Sequence, residues 1–263
     1  MSAPSSKVSF LILGSGTSQG VPAIGCDCET CTSKDPRDVR LRPSILIQSK
    51  GKNIVVDTSS DFRQQMLTNN IRQLDAILFT HHHFDHIGGF DDVRQFNFIH
   101  RREMQCFASK ETIHEIQTSF RYAFGNLFQE GGGVPRVVMN EIRESELMIE
   151  DIPIRAIEVM HGRLAVLAFR VGSLAYVTDT NDVSGKAIGL LQGLDALIFD
   201  ALRHEKHPTH YSLQESIEAA KRIGAKQTYF THIAHDICYA RDSVKLPPGM
   251  EFAYDGLRIE GTV

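Results

Sequence analysis

The 263-residue chain has no apolar stretch approaching the roughly 20 residues that a membrane-spanning helix needs. It has no excess of cations either: Lys and Arg number 28 against 32 Asp and Glu, a formal charge of −4. There is therefore no basic field to hold a long nucleic acid, and a small or locally bound substrate is expected instead. Its five cysteines are an odd number. Met1–Lys7 is small and polar, and the apolar run after it stops at Gly14, so the sequence reads as having neither a secretory leader nor a disulfide framework. A soluble, cytoplasmic protein is the expectation. No repeat or low-complexity linker divides the chain, and one domain over residues 1–263 is expected.

A hydrophobic content of 42% is ample for a sizeable core. Apolar, β-rich runs at Val8–Leu13, Ser44–Gln48, Asn53–Val56, Ala76–Phe79 and Gln105–Phe107 predict one set of strands, with a turn at Lys50–Asn53. A second set is predicted at Ile154–Val159, Ala165–Val171, Leu174–Val177, Ala196–Phe199 and Thr228–Phe230, with Gly172–Ser173 as a two-residue hairpin turn. Helical periodicity covers Ser60–Asn69, Lys110–Tyr122, Ser184–Leu191 and Ser212–Ile223, and Ser212-Leu213-Gln214-Glu215 has the form of a capping box. Strands in both halves interleaved with helices predict two facing sheets between helical layers, an αββα sandwich of the α/β class. Phe124–Pro135, rich in glycine, reads as a loop, either a lid or a plain connection.

Twelve histidines are many for this length, and most stand beside Asp, Thr or Gly near predicted strand ends. In His81-His82-His83-Phe84-Asp85-His86, four ligand-type side chains follow a predicted strand, more than one tetrahedral ion requires. Two divalent ions are the inference. Gly88-Gly89 behind them permits close backbone approach. His82 alternates to the other face of the strand and is left out. Cys26, Cys28 and Cys31 could fill three positions of a tetrahedral zinc site, with His235 as the candidate fourth ligand. Gly14, Gly16 and Gly20 do not form a dinucleotide-binding fingerprint, because the third glycine is misplaced and Pro22 precludes a helix interior there.

The H-x-H-x-D-H run after an apolar strand resembles the signature of the metallo-β-lactamase superfamily. The resemblance implies that His81, His83 and His161 hold one ion, that Asp85, His86 and His232 hold a second, and that Asp179 bridges them. Asp57 matches the superfamily's early strand-end aspartate; it either supports the site by hydrogen bonding or caps the turn before Ser59-Ser60. Gly14–Pro22 leading into the cysteine trio, together with Thr231-His232-Ile233-Ala234-His235, looks like the phosphoribosyl 1,2-cyclic phosphate phosphodiesterase branch. In that branch Cys26, Cys28, Cys31 and His235 would form a structural zinc site apart from catalysis, and His210 would face substrate phosphate. His204 and His207 are read as surface residues.

The function expected is therefore hydrolysis of a small phosphodiester, cyclic ones included. The nucleophile would be a metal-bridging hydroxide between two ions about 3.5–4 Å apart. Asp85 would orient or deprotonate the water, and His210 would stabilise the phosphoryl oxygens. Zinc, manganese or iron suits the dinuclear site. Three rivals share the ligand set: a thioester or acyl hydrolase, a tRNA-processing nuclease, and a catalytically silent accessory protein. The substrate is expected to be a small phosphodiester rather than nucleic acid or membrane, and the assembly a homodimer.

Overall fold

The computed structural model describes residues 6–125, 133–143 and 145–263. The Phe124–Pro135 loop falls largely on residues 126–132, so its reading as a lid lies outside the described residues.

Among the described residues, two seven-stranded sheets carry the fold. The first contains β1 (Lys7–Gly14), β2 (Ser44–Ser49), β3 (Lys52–Val56), β4 (Ala76–Leu78), β5 (Met104–Ala108) and β6 (Val137–Glu141), with β14 (Arg258–Thr262) added beside β1. The second contains β7 (Glu146–Ile149), β8 (Ile152–His161), β9 (Leu164–Val171), β10 (Leu174–Val177), β11 (Ala196–Asp200), β12 (Gln227–Thr231) and β13 (Met250–Phe252). Each sheet is half antiparallel and half parallel. β3, β4, β5 and β6 pair in parallel, and so do β10, β11, β12 and β13. The inner parallel strands β4, β10 and β11 are buried along their whole length, as strands covered on both faces must be.

The helices are α1 (Phe62–Thr68), α2 (Phe84–Ile87), α3 (Arg94–His100), α4 (Lys110–Ser119), α5 (Arg121–Phe124), α6 (Gly185–Leu190), α7 (Leu213–Ile223) and α8 (Tyr239–Ser243). Three apolar layers result. One lies between the sheets, around Phe10, Ile45, Phe169 and Tyr176. A second lies under α1 and α3, around Phe62, Phe90 and Phe96, and a third under α6 and α7, around Leu191, Ile217 and Phe230. Three cores between four layers make the αββα sandwich expected from the sequence.

α7 shows how directly the local sequence acts. Leu213, Ile217, Ala220 and Ile223 line its buried face, the Ser212 hydroxyl and Glu215 carboxylate form a reciprocal capping box, and Gly224 ends it in the left-handed region. The helix expected over Lys110–Tyr122 divides instead at Phe120, which leaves helical geometry and places its ring 4.9 Å from that of Phe90. Core packing there overrides helix continuity. The β2–β3 turn is the pair Lys50-Gly51, with φ of +50° and +74°, narrower than the four residues expected.

The Gly172-Ser173 hairpin is present, and its glycine meets two demands at once. Its φ is +56°, and a Cβ there would sit 2.0 Å from the carbonyl oxygen of Thr262. Gly172→Ala should therefore lower unfolding free energy by about 1–3 kcal/mol in a urea titration, whereas an unaltered midpoint would mean that β14 can move aside. Among the described residues, no helix is long and apolar enough to cross a membrane.

Candidate metal centre

The carboxyl ends of the parallel strands meet at one edge of the sandwich, where the crossovers leave room for side chains. Asp57 follows β3, His81, His83, Asp85 and His86 follow β4, and His161 ends β8. Asp179 follows β10, Asp200 ends β11 and His232 follows β12. Ligand-type atoms of His81, His83 and His161 all lie within 4.8 Å of one another, as do those of Asp85, His86, Asp179 and His232. The two anticipated triads, His81/His83/His161 and Asp85/His86/His232, are each brought together; Asp179 falls in the second group and also groups with His161 and His210, and His210 groups with Asp200 and His232. His82 belongs to none of these groups.

Hydrogen bonds fix which nitrogen each imidazole presents. The Asp57 carboxylate accepts the Thr80 amide (2.8 Å), the Thr80 hydroxyl (2.8 Å) and His86 Nδ1–H (2.7 Å). His81 Nδ1 donates to the Thr80 hydroxyl at 3.0 Å, and His161 Nδ1 donates to the Thr209 carbonyl at 2.7 Å. All three rings then turn Nε2 inward as a lone-pair donor, the arrangement by which supporting groups orient ligands. Of the two readings of Asp57, support by hydrogen bonding is the one realised.

Nε2 of His81, His86 and His232 is buried with no hydrogen-bond partner. Yet His86 Nε2 lies 3.2 Å from Asp179 Oδ2, and His232 Nε2 lies 3.2 Å from Asp179 Oδ1. Buried polar atoms aimed at one another without hydrogen-bonding geometry are costly unless something between them satisfies all of them. A cation does so, and the His and Asp donor set suits Zn2+, Mn2+ or Fe2+. The residues therefore fit a dinuclear centre, with Asp179 grouped with Asp85, His86 and His232 on one side and with His161 on the other.

The electrostatics divide the centre. Burial holds the His81, His83 and His161 imidazoles below the usual histidine range, hence neutral and ready to ligate. Burial also opposes charge on His232, but Asp179 and Asp85 more than reverse it, raising His232 to about 10. His86 is likewise held well above its ordinary value, its burial outweighed by Asp179, Asp85 and Asp57. Burial opposes the Asp85 charge too, yet His86 and His232 keep that carboxyl well below its usual range and ionised. The Asp-rich half thus asks for positive charge, which a metal ion supplies as well as a proton does.

His210 is buried beside both sets. Its Nδ1 lies 3.3 Å from each oxygen of the Asp200 carboxylate, and its Nε2 is 3.9 Å from Asp179 Oδ1. It stacks on His232 with ring centroids 4.6 Å apart. Sequence reasoning found His210 but missed Asp200, although the signal was present: an apolar strand, Ala196–Phe199, running straight into an aspartate.

Gly89 is needed for close approach, since a Cβ there would lie 2.3 Å from the Ser59 carbonyl oxygen. Asp57, Asp179 and His232 all adopt positive φ, at +67°, +52° and +62°.

The second cluster joins Cys26, Cys28, Cys31 and His235, whose donor atoms lie within 4.8 Å of one another. The three Sγ atoms stand 3.2, 3.4 and 3.6 Å from His235 Nδ1. The Cys31 amide, outweighing the cost of burial, lowers the Cys28 thiol to about 6, and His235 adds to the shift. A thiolate at neutral pH with two further thiols and an imidazole is a donor set for tetrahedral zinc.

His232 and His235 belong to one loop, and a residue overlooked in the sequence holds it. The fully buried Arg40 donates to the carbonyls of Ala234 (3.0 Å) and Ile237 (2.9 Å) and to Asp38 Oδ1 (2.7 Å). Asp38 Oδ1 in turn accepts the Tyr239 amide at 2.8 Å. Arg40→Ala leaves the Asp38 carboxylate buried without its cation and removes the guanidinium from the Ala234 and Ile237 carbonyls. A loss of about 3–5 kcal/mol in chemical unfolding is expected, and a loss under about 1 kcal/mol would show that water replaces the guanidinium.

His204 is exposed, as expected, with Nε2 3.4 Å from Asp242. His207 is not a plain surface residue: with Arg203 and His210 it lines a cavity of about 220 Å3.

This pairing of sheets, ligand order and supporting aspartate defines a class. The family profile of the beta-lactamase superfamily domain matches residues 52–233, and the chain belongs to the metallo-β-lactamase superfamily of metal-dependent hydrolases. Within it, the chain belongs to the PhnP-like branch. It is 40% identical to the solved structure of a diphosphatase from the PhnP family, with a TM-score of 0.91 over 98% of each chain. It is also 36% identical to a protein of Porphyromonas gingivalis named octanoyltransferase, over 94% of this chain but only 50% of that protein. This chain thus spans about half the length of that relative. Zinc-bound PqqB from Methylobacterium extorquens has the same fold at 19% identity, with a TM-score of 0.76 over 95% of this chain and 99% of that one.

Proposed function

We propose that the chain is a phosphodiesterase that hydrolyses small phosphodiesters, cyclic ones among them, at a dinuclear centre, and that the Cys/His cluster holds a structural zinc ion. The observation that carries this reading is His210: a ring oriented by Asp200 stands against His161, Asp179 and His232, while the two anticipated ligand sets each come together without it. A phosphoryl group in transfer has more oxygens to stabilise than an acyl carbonyl, and an extra donor beside two ions suits it. The name of the PhnP-family diphosphatase supports the same substrate class.

His81, His83 and His161 would hold one ion, and Asp85, His86 and His232 the other, with Asp179 between them. When bound, the ions would supply a water of lowered pKa and positive charge against the phosphoryl oxygens. Asp57 and Thr80 keep His86 and His81 in the ligating tautomer. Asp85, held ionised, is placed to ligate and to orient water rather than to take up a proton. Asp200 accepts the Nδ1–H of His210, and Nε2 donates to a phosphoryl or leaving oxygen when the ring carries a proton on both nitrogens. A cytoplasmic location goes with this proposal, since a small metabolite and a net charge of −4 call for neither nucleic acid nor membrane; the homodimer rests only on two-fold dimers being the commonest homo-oligomers.

The octanoyltransferase name favours an acyl reading, but half of that protein lies outside the match. The two readings separate on substrate choice by metal-loaded wild type. Turnover of bis(p-nitrophenyl) phosphate is expected to exceed that of p-nitrophenyl octanoate and an octanoyl thioester by at least about 100-fold in kcat/KM, a margin that pocket chemistry readily gives. The reverse preference would replace the phosphodiester by an acyl substrate.

A further inference from the structure

Three of the five cysteines share one loop, and their surroundings differ from those of the other two. Cys106 is wholly buried in β5, and Cys238 is buried beside Asp38. Cys26 and Cys28 are half-buried at the surface, with the buried Cys31 behind them. The loop around them is open: Ile24 is fully exposed, and a Cβ added to Gly25, at φ +74°, would meet nothing within 4 Å. Short-range turn bonds tie its backbone, such as Cys26 amide to Ala23 carbonyl (3.1 Å) and Thr32 amide to Cys28 carbonyl (3.0 Å). A small oxidant can therefore reach the thiols, and the loop can yield locally to a new covalent bond.

Within the trio, Cys28-Glu29-Thr30-Cys31 has the C-x-x-C spacing of thiol–disulfide chemistry. The Cys31 amide donates to Cys28 Sγ at 3.5 Å, so the turn already folds one cysteine back over the other. Their Sγ atoms lie within 4.8 Å of each other, and closing them to a disulfide of about 2 Å takes a side-chain movement of at most about 3 Å. The fourth member of the cluster carries the consequence inward. His235 follows His232 by three residues on one loop. That loop is joined to the segment leading into the cysteines, through Thr17 amide to Ile233 carbonyl (3.2 Å) and Ile233 amide to Ser15 carbonyl (2.9 Å). His232 itself stands at φ +62°, a conformation that its surroundings must hold. An ion on His235 is one such restraint; the Arg40 guanidinium on the Ala234 and Ile237 carbonyls is another, and it does not depend on the cysteines.

We propose that Cys28 and Cys31 are a reversible oxidation site: a peroxide joins them as a disulfide, the cluster gives up its ion, and the half of the dinuclear centre that contains His232 binds its ion less tightly. The proposal rests on the reading of the Cys/His cluster as a zinc site. The Cys28 thiolate attacks one oxygen of the peroxide, the O–O bond breaks and hydroxide leaves, which makes Cys28 a sulfenic acid. The Cys31 thiolate then attacks that sulfur, the S–S bond forms, the S–O bond breaks and a second hydroxide leaves. Each sulfur has lost one electron, and the peroxide has gained two. Cys26 and His235 remain as two donors where tetrahedral zinc takes four, too few to keep the ion. A dithiol reductant reverses the change by exchange, and the reduced pair takes up zinc again.

The test treats zinc-loaded wild type with hydrogen peroxide, removes the oxidant with catalase, alkylates free thiols and maps disulfides by mass spectrometry. A Cys28–Cys31 linkage is expected, with Cys106 and Cys238 still alkylated as free thiols. Zinc content should fall by about one ion per chain or more, and dithiothreitol with added zinc should restore both thiols and ion. Chelator competition on the oxidised protein should show the dinuclear centre binding its metal at least about fivefold more weakly. Cys26→Ser should still form the linkage; should that variant fail to fold, the wild-type map decides alone. A linkage through Cys26, oxidation that dithiothreitol does not reverse, or a disulfide with zinc fully retained would overturn the site, and an unchanged affinity would overturn its link to the centre. The zinc reading fails separately, if the three thiols of reduced wild type alkylate as fast with zinc present as after chelation. The disulfide is then judged on that protein by mapping, where its presence keeps Cys28 and Cys31 as the oxidised pair and its absence overturns the proposal.

Discussion

Asp179→Ala is expected to lower phosphodiester turnover on the order of a thousandfold or more and to reduce the metal content of the dinuclear centre, while the Cys/His cluster keeps its ion. The scale is that of groups that act as a unit, where losing one member disables the rest. The geometric reason is that Asp179 touches both halves: its oxygens lie 3.2 Å from His86 and from His232 of one set, and it also groups within 4.8 Å with His161 of the other. No neighbouring carboxylate can replace both contacts. Asp85 reaches His86 at 3.3 Å but His232 only at 3.7 Å, and Asp200 is taken up by His210. Elemental analysis alongside hydrolysis of bis(p-nitrophenyl) phosphate checks this. A variant with full metal content and turnover within tenfold of wild type would remove Asp179 from the bridging position.

The second large effect is expected at His210. His210→Ala should lower kcat by about 100- to 10,000-fold, the usual range for a positioned proton donor or acceptor, with the metal content of both clusters unchanged. Asp200→Asn should have a smaller effect in the same direction, because it acts by orienting His210, and should alter the pH profile of kcat without emptying the centre. Retention of wild-type kcat by His210→Ala would mean that the ions alone stabilise the transition state, and that the ring next to His232 serves packing. Loss of metal in that variant would instead make His210 a ligand, through its proximity to His161 and Asp179.

The parts of the site legible in the sequence were those written contiguously at strand ends. His81 to His86 follow one strand within six residues, Asp179 follows the wholly buried apolar strand β10 after Thr178, and His232 directly follows β12, whose Phe230 and Thr231 are buried. Asp200 has the same form but was passed over, because nothing nearby in sequence pairs with it; its partner His210 is ten residues away across a loop. Arg40 was invisible for a different reason. A lone arginine among Arg37, Arg40 and Arg42 looks like a solvated charge, and only the return of the 234–237 segment shows that its guanidinium is buried.

The main strands were legible wherever apolar residues run on or alternate, and the ones not anticipated were short or lay at edges. β13 has three residues, and in β14 Ile259 is the buried side chain between exposed Arg258 and Glu260. α3 was missed because seven residues with three large apolar side chains suit a strand as well as a helix; the segment is helical and sets the Phe96 ring 6.1 Å from that of Phe62.

The left-handed backbone at Asp57, Asp179 and His232 has a consequence for the protein as an object of selection. Each such residue sets aside about 1–2 kcal/mol of conformational preference. Stability and metal supply are therefore linked: ions that bind only the folded chain return about 4 kcal/mol when their free concentration is a thousandfold above the dissociation constant. A screen for heat resistance run in chelator would reward glycine and asparagine at these three positions, the residues that tolerate that geometry best. It would thereby enrich hardier proteins that have lost the centre, whereas the same screen run with zinc or manganese would keep the aspartates and the histidine.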